Sequence, residues 1–136
     1  MEIVALIGRI LFALVFLGSG AAHLTQTAAM TGYAKSKKVP YAQIVVLASG
    51  TMIVLGALMI LFGVWGDLGA LLLVAFLVPT AVVMHNFWTE TDPQTRQVEM
   101  VQFMKDLSLA GGALLVFVLY SKHGDDLGLT ITGPLF

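Results

Sequence analysis

Two histidines, an asparagine and an aspartate stand in strongly apolar surroundings: His23, His85, Asn86 and Asp106. Imidazole nitrogens and a carboxylate can ligate a divalent metal, carry a proton near neutral pH, or hydrogen-bond the head of an organic ligand. Arg9 and Asp67 are two further charges in apolar context. A charge at mid-membrane costs about 2.5–3.5 kcal/mol on insertion scales, so each needs a partner or a purpose. Arg9, Phe12, Phe16, Ser19 and His23 follow one another at spacings of three and four and so share one helical face. Three readings of the polar set stay open: hydrogen bonds that fix packing between helices, the headgroup pocket of a quinone or lipid, and a metal site. No HxxxH or ExxH pair supports the metal, and none is assigned. No nucleophile–base motif is present, so no catalytic residue is assigned and activity of the chain on its own is not expected.

The elements that position these residues follow from composition. Hydrophobic residues make up 58% of the 136-residue chain and charged residues 11%, with a mean hydropathy of +0.92. Soluble domains lie nearer 45–50% and about 25%, so lipid must solvate this chain. Runs of about 20 apolar residues match a hydrocarbon core of about 30 Å. Four occur, at roughly Ile3–Leu24, Gln43–Val64, Leu68–Trp88 and Met104–Tyr120. The expected fold class is all-α: one polytopic membrane domain over residues 1–136, a four-transmembrane-helix bundle. Arg9 lies inside the first run and the run is long, which argues against a cleaved signal peptide. Trp65, Gly66 and Asp67 form a short link that makes the second and third spans antiparallel. Residues 25–42 hold room for a short interfacial helix around Met30, Tyr33 and Ala34. Asp92-Pro93 is a helix start, an N-cap followed by proline at the first position. Pro79 should perturb the third span. Ser49, Gly56 and Gly63 recur every seven residues and mark a close-packing face. Trp65 and Trp88 bracket the third span as interfacial anchors.

Antiparallel threading brings His23, His85, Asn86 and Asp106 to one membrane level, where the two histidines and the aspartate are expected to face one another. Arg9 lies toward the other end, where Asp67 is its expected partner. Lys35, Lys37, Lys38, Arg96 and Lys105 lie on the side of the two longer loops, which the positive-inside rule assigns to the cytoplasm with both termini outside. Net charge is −1 and cysteine is absent. No basic excess points to nucleic acid, and thiol chemistry within the chain is excluded.

The motifs resemble those of the DoxX family of small bacterial membrane proteins. They are Gly8-Arg9, Phe16-Leu17-Gly18-Ser19-Gly20, His23-Leu24, Gly32-Tyr33-Ala34, Val39-Pro40, His85-Asn86-Phe87-Trp88, Asp92-Pro93, and the Phe103–Gly112 block of pattern FxKxLxLxGG. Asp106 stands where the family usually has asparagine, and Lys38 where glycine is expected. The resemblance implies a four-helix fold in the bacterial inner membrane, embedded in the lipid bilayer. It also implies a non-catalytic subunit or scaffold of a redox or stress-response complex, since some relatives are subunits of quinone-linked sulfur oxidation. A protein partner or a homo-oligomer is expected. The alternatives are a subunit that binds a quinone, or a haem on axial histidine nitrogens, and a lipid-binding or small-molecule carrier.

Overall fold

The computed structural model describes residues 1–136. Five α-helices account for most of the chain: α1 Glu2–Thr25, α2 Thr27–Ser36, α3 Ala42–Phe62, α4 Gly66–Met84 and α5 Pro93–His123. There are no strands. Helices α1, α3, α4 and α5 are long and apolar enough to cross a membrane. They pack in sequence, α1 on α3, α3 on α4 and α4 on α5. The N-terminus, the α3–α4 turn and the chain's last residues share one end of the bundle, here the tail end. Helix α2 and the α4–α5 connection share the other, the loop end.

The core is thin. Ala13, Phe16, Ile53, Ala57, Ile60, Leu73, Leu77 and Tyr120 belong to one buried cluster, while Leu11, Ile44, Leu55, Val82 and Leu115 are exposed. That inversion is what a bilayer selects, since association in lipid is driven by packing rather than by the hydrophobic effect. Small residues bring backbones together. A Cβ on Gly56 would lie 2.9 Å from the Gly69 carbonyl oxygen, and one on Gly69 would lie 2.8 Å from that of Gly56. Of the expected seven-residue stripe Gly56 makes the contact between helices, and at Gly63 a Cβ would lie 2.8 Å from the Thr130 Cα of the tail. Ser49 lines a cleft, and Gly63 ends α3.

The turns differ from the sequence reading in a definable way. Gly63 adopts φ 62° and closes α3, with Gly63 N–H donating to Ile60 (3.4 Å) and Val64 N–H to Met59 (2.9 Å). This left-handed glycine cap puts the turn at residues 63–65 and leaves Gly66 and Asp67 inside α4. Helix α4 runs on through Pro79 and stops at Met84, so His85 and Asn86 leave the helix instead of lying inside it. The short helix expected between the first two spans is α2. Its Ala34 packs with Ala42 and Val46 of α3, backed by Met30 and Val39. Asp92 caps α5 as expected, its Oδ2 accepting from the Thr95 N–H at 2.8 Å with Pro93 behind it.

Candidate functional site

At the loop end α3 and α4 diverge from their Gly56–Gly69 contact and leave a cleft of about 430 Å3, within the range of about 300–1,000 Å3 typical of small-molecule sites. Val45, Ala75 and Pro79 are exposed at its edge, and Phe76, Met52 and Met84 form apolar wall. His23, His85 and Asp106 all line it, reached from α1, from the end of α4 and from α5.

Each side chain is held by a local cause. His23 is 8% exposed and leans against α3 where Gly50 has no side chain; a Cβ there would lie 2.6 Å from the His23 Cβ. Its Nδ1 is 2.8 Å from the Ser19 carbonyl oxygen, one turn back. A carbonyl only accepts, so Nδ1 carries the hydrogen. The His23 ring meets Phe76 edge-on at 5.8 Å. His85 is freed by the end of α4 and swings to α5, where its Nδ1 lies 2.8 Å from Glu99 Oε2 and its Nε2 3.6 Å from Asp106 Oδ2. Tyr33 of α2 closes the outside, its hydroxyl 3.1 Å from the Met84 carbonyl and 3.2 Å from Glu99 Oε1. Burial, then the Glu99 charge and the hydrogen bond to it, and last the Glu90 charge push the Tyr33 phenol up to about 12. Lys105 Nζ lies 3.4 Å from Asp106 Oδ1. Asp106 is 4% exposed, and its Oδ2 has no hydrogen-bond partner, since 3.6 Å to His85 is too long for one.

Of the four residues expected at one level, three share the cleft and one does not. Asn86 turns outward, its Oδ1 accepting from Lys37 Nζ at 2.9 Å beside a Lys37–Glu90 ion pair at 3.1 Å. Once the chain is no longer helical, consecutive side chains diverge. His23 makes no contact with Asp106; the direct contact is between His85 and Asp106. Glu99, in the first turns of α5 and absent from the residues singled out in the sequence, is a direct partner of His85. Its spacing of seven residues from Asp106 puts both carboxylates on one helical face and was the available signal.

The expected Arg9–Asp67 pair is not made. Arg9 is 6% exposed and Asp67 0%. Arg9 donates to the Leu129 carbonyl (3.1 Å), the Gly128 carbonyl (3.4 Å) and the Tyr120 hydroxyl (3.4 Å). Asp67 Oδ2 accepts from the N–H groups of Leu135 and Phe136, both at 2.7 Å. Residues 127–136 fold back across the tail end, and their backbone meets both charges before the two side chains can meet each other.

No three side chains of His, Asp or Glu converge on a point that could hold a metal ion. For a haem held on axial histidine nitrogens, His23 keeps Nε2 open while its Nδ1 is bonded to Ser19, whereas His85 Nε2 lies 3.6 Å from Asp106 Oδ2 and faces a carboxylate.

Comparison with known proteins places these observations. The model of the family described as DoxX matches residues 4–86, more than half of the chain, through the first three spans to Asn86. Inner membrane protein YphA of Escherichia coli (strain K12) is 27% identical over 132 residues, covering 97% of this chain and 84% of that protein. No solved structure matches.

Proposed function

The chain belongs to the DoxX family and is a multi-pass inner-membrane protein, and on that premise we propose that it is a ligand-holding, non-catalytic subunit of a membrane redox assembly. Its cleft takes the ring-sized head of a lipid-soluble molecule of the quinone class, and the bundle holds that molecule for a partner protein. The observation that carries the reading is the cleft itself: apolar walls between α3 and α4 lead to Asp106, a nearly enclosed carboxylate with one oxygen lacking a partner. An unpartnered polar atom in so apolar a place is costly unless a ligand meets it. The charged head of a phospholipid is a poorer fit, because phosphate needs several donors. Those of Tyr33 and Ser49 are already bonded to backbone carbonyls, Lys105 Nζ lies 2.6 Å from Gln102 Oε1, and the Ser19 and Thr80 hydroxyls that remain are uncharged while Asp106 repels an anion. The redox setting is what the likeness to quinone-linked relatives suggests.

The test is extraction of purified protein with organic solvent, followed by mass spectrometry and an absorption spectrum. Wild type should release a ring-headed lipid that a cleft-filling Ser49→Trp variant does not retain. Identical extracts from a folded Ser49→Trp variant and from wild type would end the ligand reading and leave a scaffold.

A further inference from the structure

Resting on the ligand reading above, we infer that the cleft selects the hydroxyl form of its ligand, a quinol or other phenol, over the carbonyl or ether form of the same molecule. Three of the polar groups left open there can only accept. With Nδ1 donating to Ser19, the neutral His23 ring keeps its lone pair on Nε2. Asp106 Oδ2 is a carboxylate oxygen with no donor. Pro79 has no N–H, so the Ala75 carbonyl lacks its helical donor, and both residues line the cleft.

Several donors nearby are engaged: Tyr33 donates to the Met84 carbonyl, Ser49 donates to the Val46 carbonyl at 3.1 Å, Lys105 lies 2.6 Å from Gln102 Oε1, and His85 directs Nδ1 to Glu99. The Ser19 and Thr80 hydroxyls, which also line the cleft, can donate or accept. A hydroxyl head can therefore serve every one of these groups, whereas a head of bare carbonyl oxygens can be met only by the two hydroxyls and sets acceptor against acceptor at Asp106, His23 and the Ala75 carbonyl.

Charge argues for a neutral donor over an ammonium. The groups facing Asp106 are Lys105 at 3.4 Å on its own helix and His85 at 3.6 Å, with Glu99 behind the imidazole and Tyr33 behind Glu99. The Lys105 cation already stands against the Asp106 charge, so a second cation entering the cleft would meet that lysine. A hydroxyl meets no such repulsion, and its bond to a carboxylate is short and strong because the acceptor is ionised.

The experiment uses the full-length protein in phosphatidylcholine nanodiscs, with empty nanodiscs as the partition reference. The probes are redox-inert: a long-chain 4-alkylphenol and its methyl ether, which share the apolar body and differ by one donor hydrogen. The wild type should bind the phenol about ten-fold more tightly than the ether, the size of one charge-assisted hydrogen bond. Asp106→Asn, close to isosteric, should narrow the ratio to about three-fold or less, because an amide acceptor is uncharged. Equal saturable binding of phenol and ether by the wild type overturns the selectivity and leaves the ligand reading standing. An unchanged ratio in a folded Asp106→Asn overturns the role given to that carboxylate. Binding of neither probe above empty nanodiscs removes the ligand reading and this inference together.

Discussion

The two ends of the bundle solve the problem of charge in an apolar setting in opposite ways. At the tail end Arg9 and Asp67 are the more deeply enclosed pair of the four spans, and neither leans on the other. The last ten residues cross the bundle and supply backbone carbonyls to the guanidinium and backbone N–H groups to the carboxylate. Tyr120 ties the arrangement together by donating to the Ile60 carbonyl at 2.7 Å while accepting from Arg9. Its ring fills the space that a side chain on Gly66 would need, 2.5 Å from such a Cβ. Neither charge lines the loop-end cleft. At the loop end the charges are side chain to side chain, Tyr33 to Glu99 to His85 to Asp106, and the series stops at a residue that lines a cleft and has one oxygen without a hydrogen-bond partner. Burial of a charge is therefore a poor guide to function here. Buried atoms without a partner occur at both ends, Arg9 Nε and Asp67 Oδ1 as well as Asp106 Oδ2; what separates the ends is that backbone groups meet the tail-end charges while Asp106 lines a cleft.

The sharpest division between the ends is their side of the membrane. By the positive-inside rule Lys35 of α2, Lys37 and Lys38 after it, and Arg96 and Lys105 of α5 lead to the expectation that the loop end is cytoplasmic. A periplasmic reporter fused after Phe136 should be fully active, and the same reporter inserted beside Ser36 silent. The opposite pattern would reverse the orientation and put the cleft on the outer side.

Stability should separate the ends next. Arg9→Leu leaves the part-buried Gly128 and Leu129 carbonyls without their donor, a loss of about 2 kcal/mol at the low end of 1–3 kcal/mol per acceptor. Residues 127–136 should then become sensitive to limited proteolysis, and a tail as resistant as in wild type would show that Arg9 does not hold it. Asp106→Asn should cost less than about 1 kcal/mol by thermal unfolding in detergent, since Oδ2 makes no hydrogen bond to lose. A loss as large as that of Arg9→Leu would make the loop-end set structural and erase the comparison.

The smallest effect is alkaline. Below pH 10 the Tyr33 phenol is protonated in folded and unfolded chains alike, and its contribution is complete. Its folded value is raised to about 12, so between 10 and 12 the unfolded chain releases the proton first and stability falls with rising pH. Tyr33→Phe should lack that part of the alkaline loss, as read from unfolding midpoints of the two proteins across that window. Superimposable curves would disconnect Tyr33 from Glu99.

Periodicity and length made the spans legible, because a helix must reach across the bilayer and its apolar run is local in sequence. The cap at Asp92 and the short helix α2 were legible for the same reason. The level shared by His23, His85 and Asp106 followed from threading direction alone. Which way Asn86 turns did not follow, because it depends on α4 stopping at Met84, and the Tyr33 hydroxyl bond to the Met84 carbonyl comes from a residue 51 positions away. The partners of Arg9 lie 111 to 120 residues along the chain: Tyr120 near the end of α5, and Gly128 and Leu129 in a segment with no helical pattern to announce where it folds. Pairing Arg9 with Asp67 was the simplest guess for two charges at one end, and it overlooked how readily free backbone satisfies either sign. Glu99 was hidden by its place near the water-exposed start of α5, although its register with Asp106 was visible.

The account rests on the loop-end cleft being where a ligand enters and the tail end being closed. Photolabelling tests this directly: a long-chain phenol carrying a small diazirine is irradiated with the protein in nanodiscs, and the adducts are mapped by mass spectrometry. Adducts should concentrate on Val45, Ser49, Met52 and Pro79 at the edge and wall of the cleft, and unlabelled phenol should compete them away. Labelling spread evenly over lipid-facing positions such as Leu11, Leu55 and Leu115, with no competition, would contradict it.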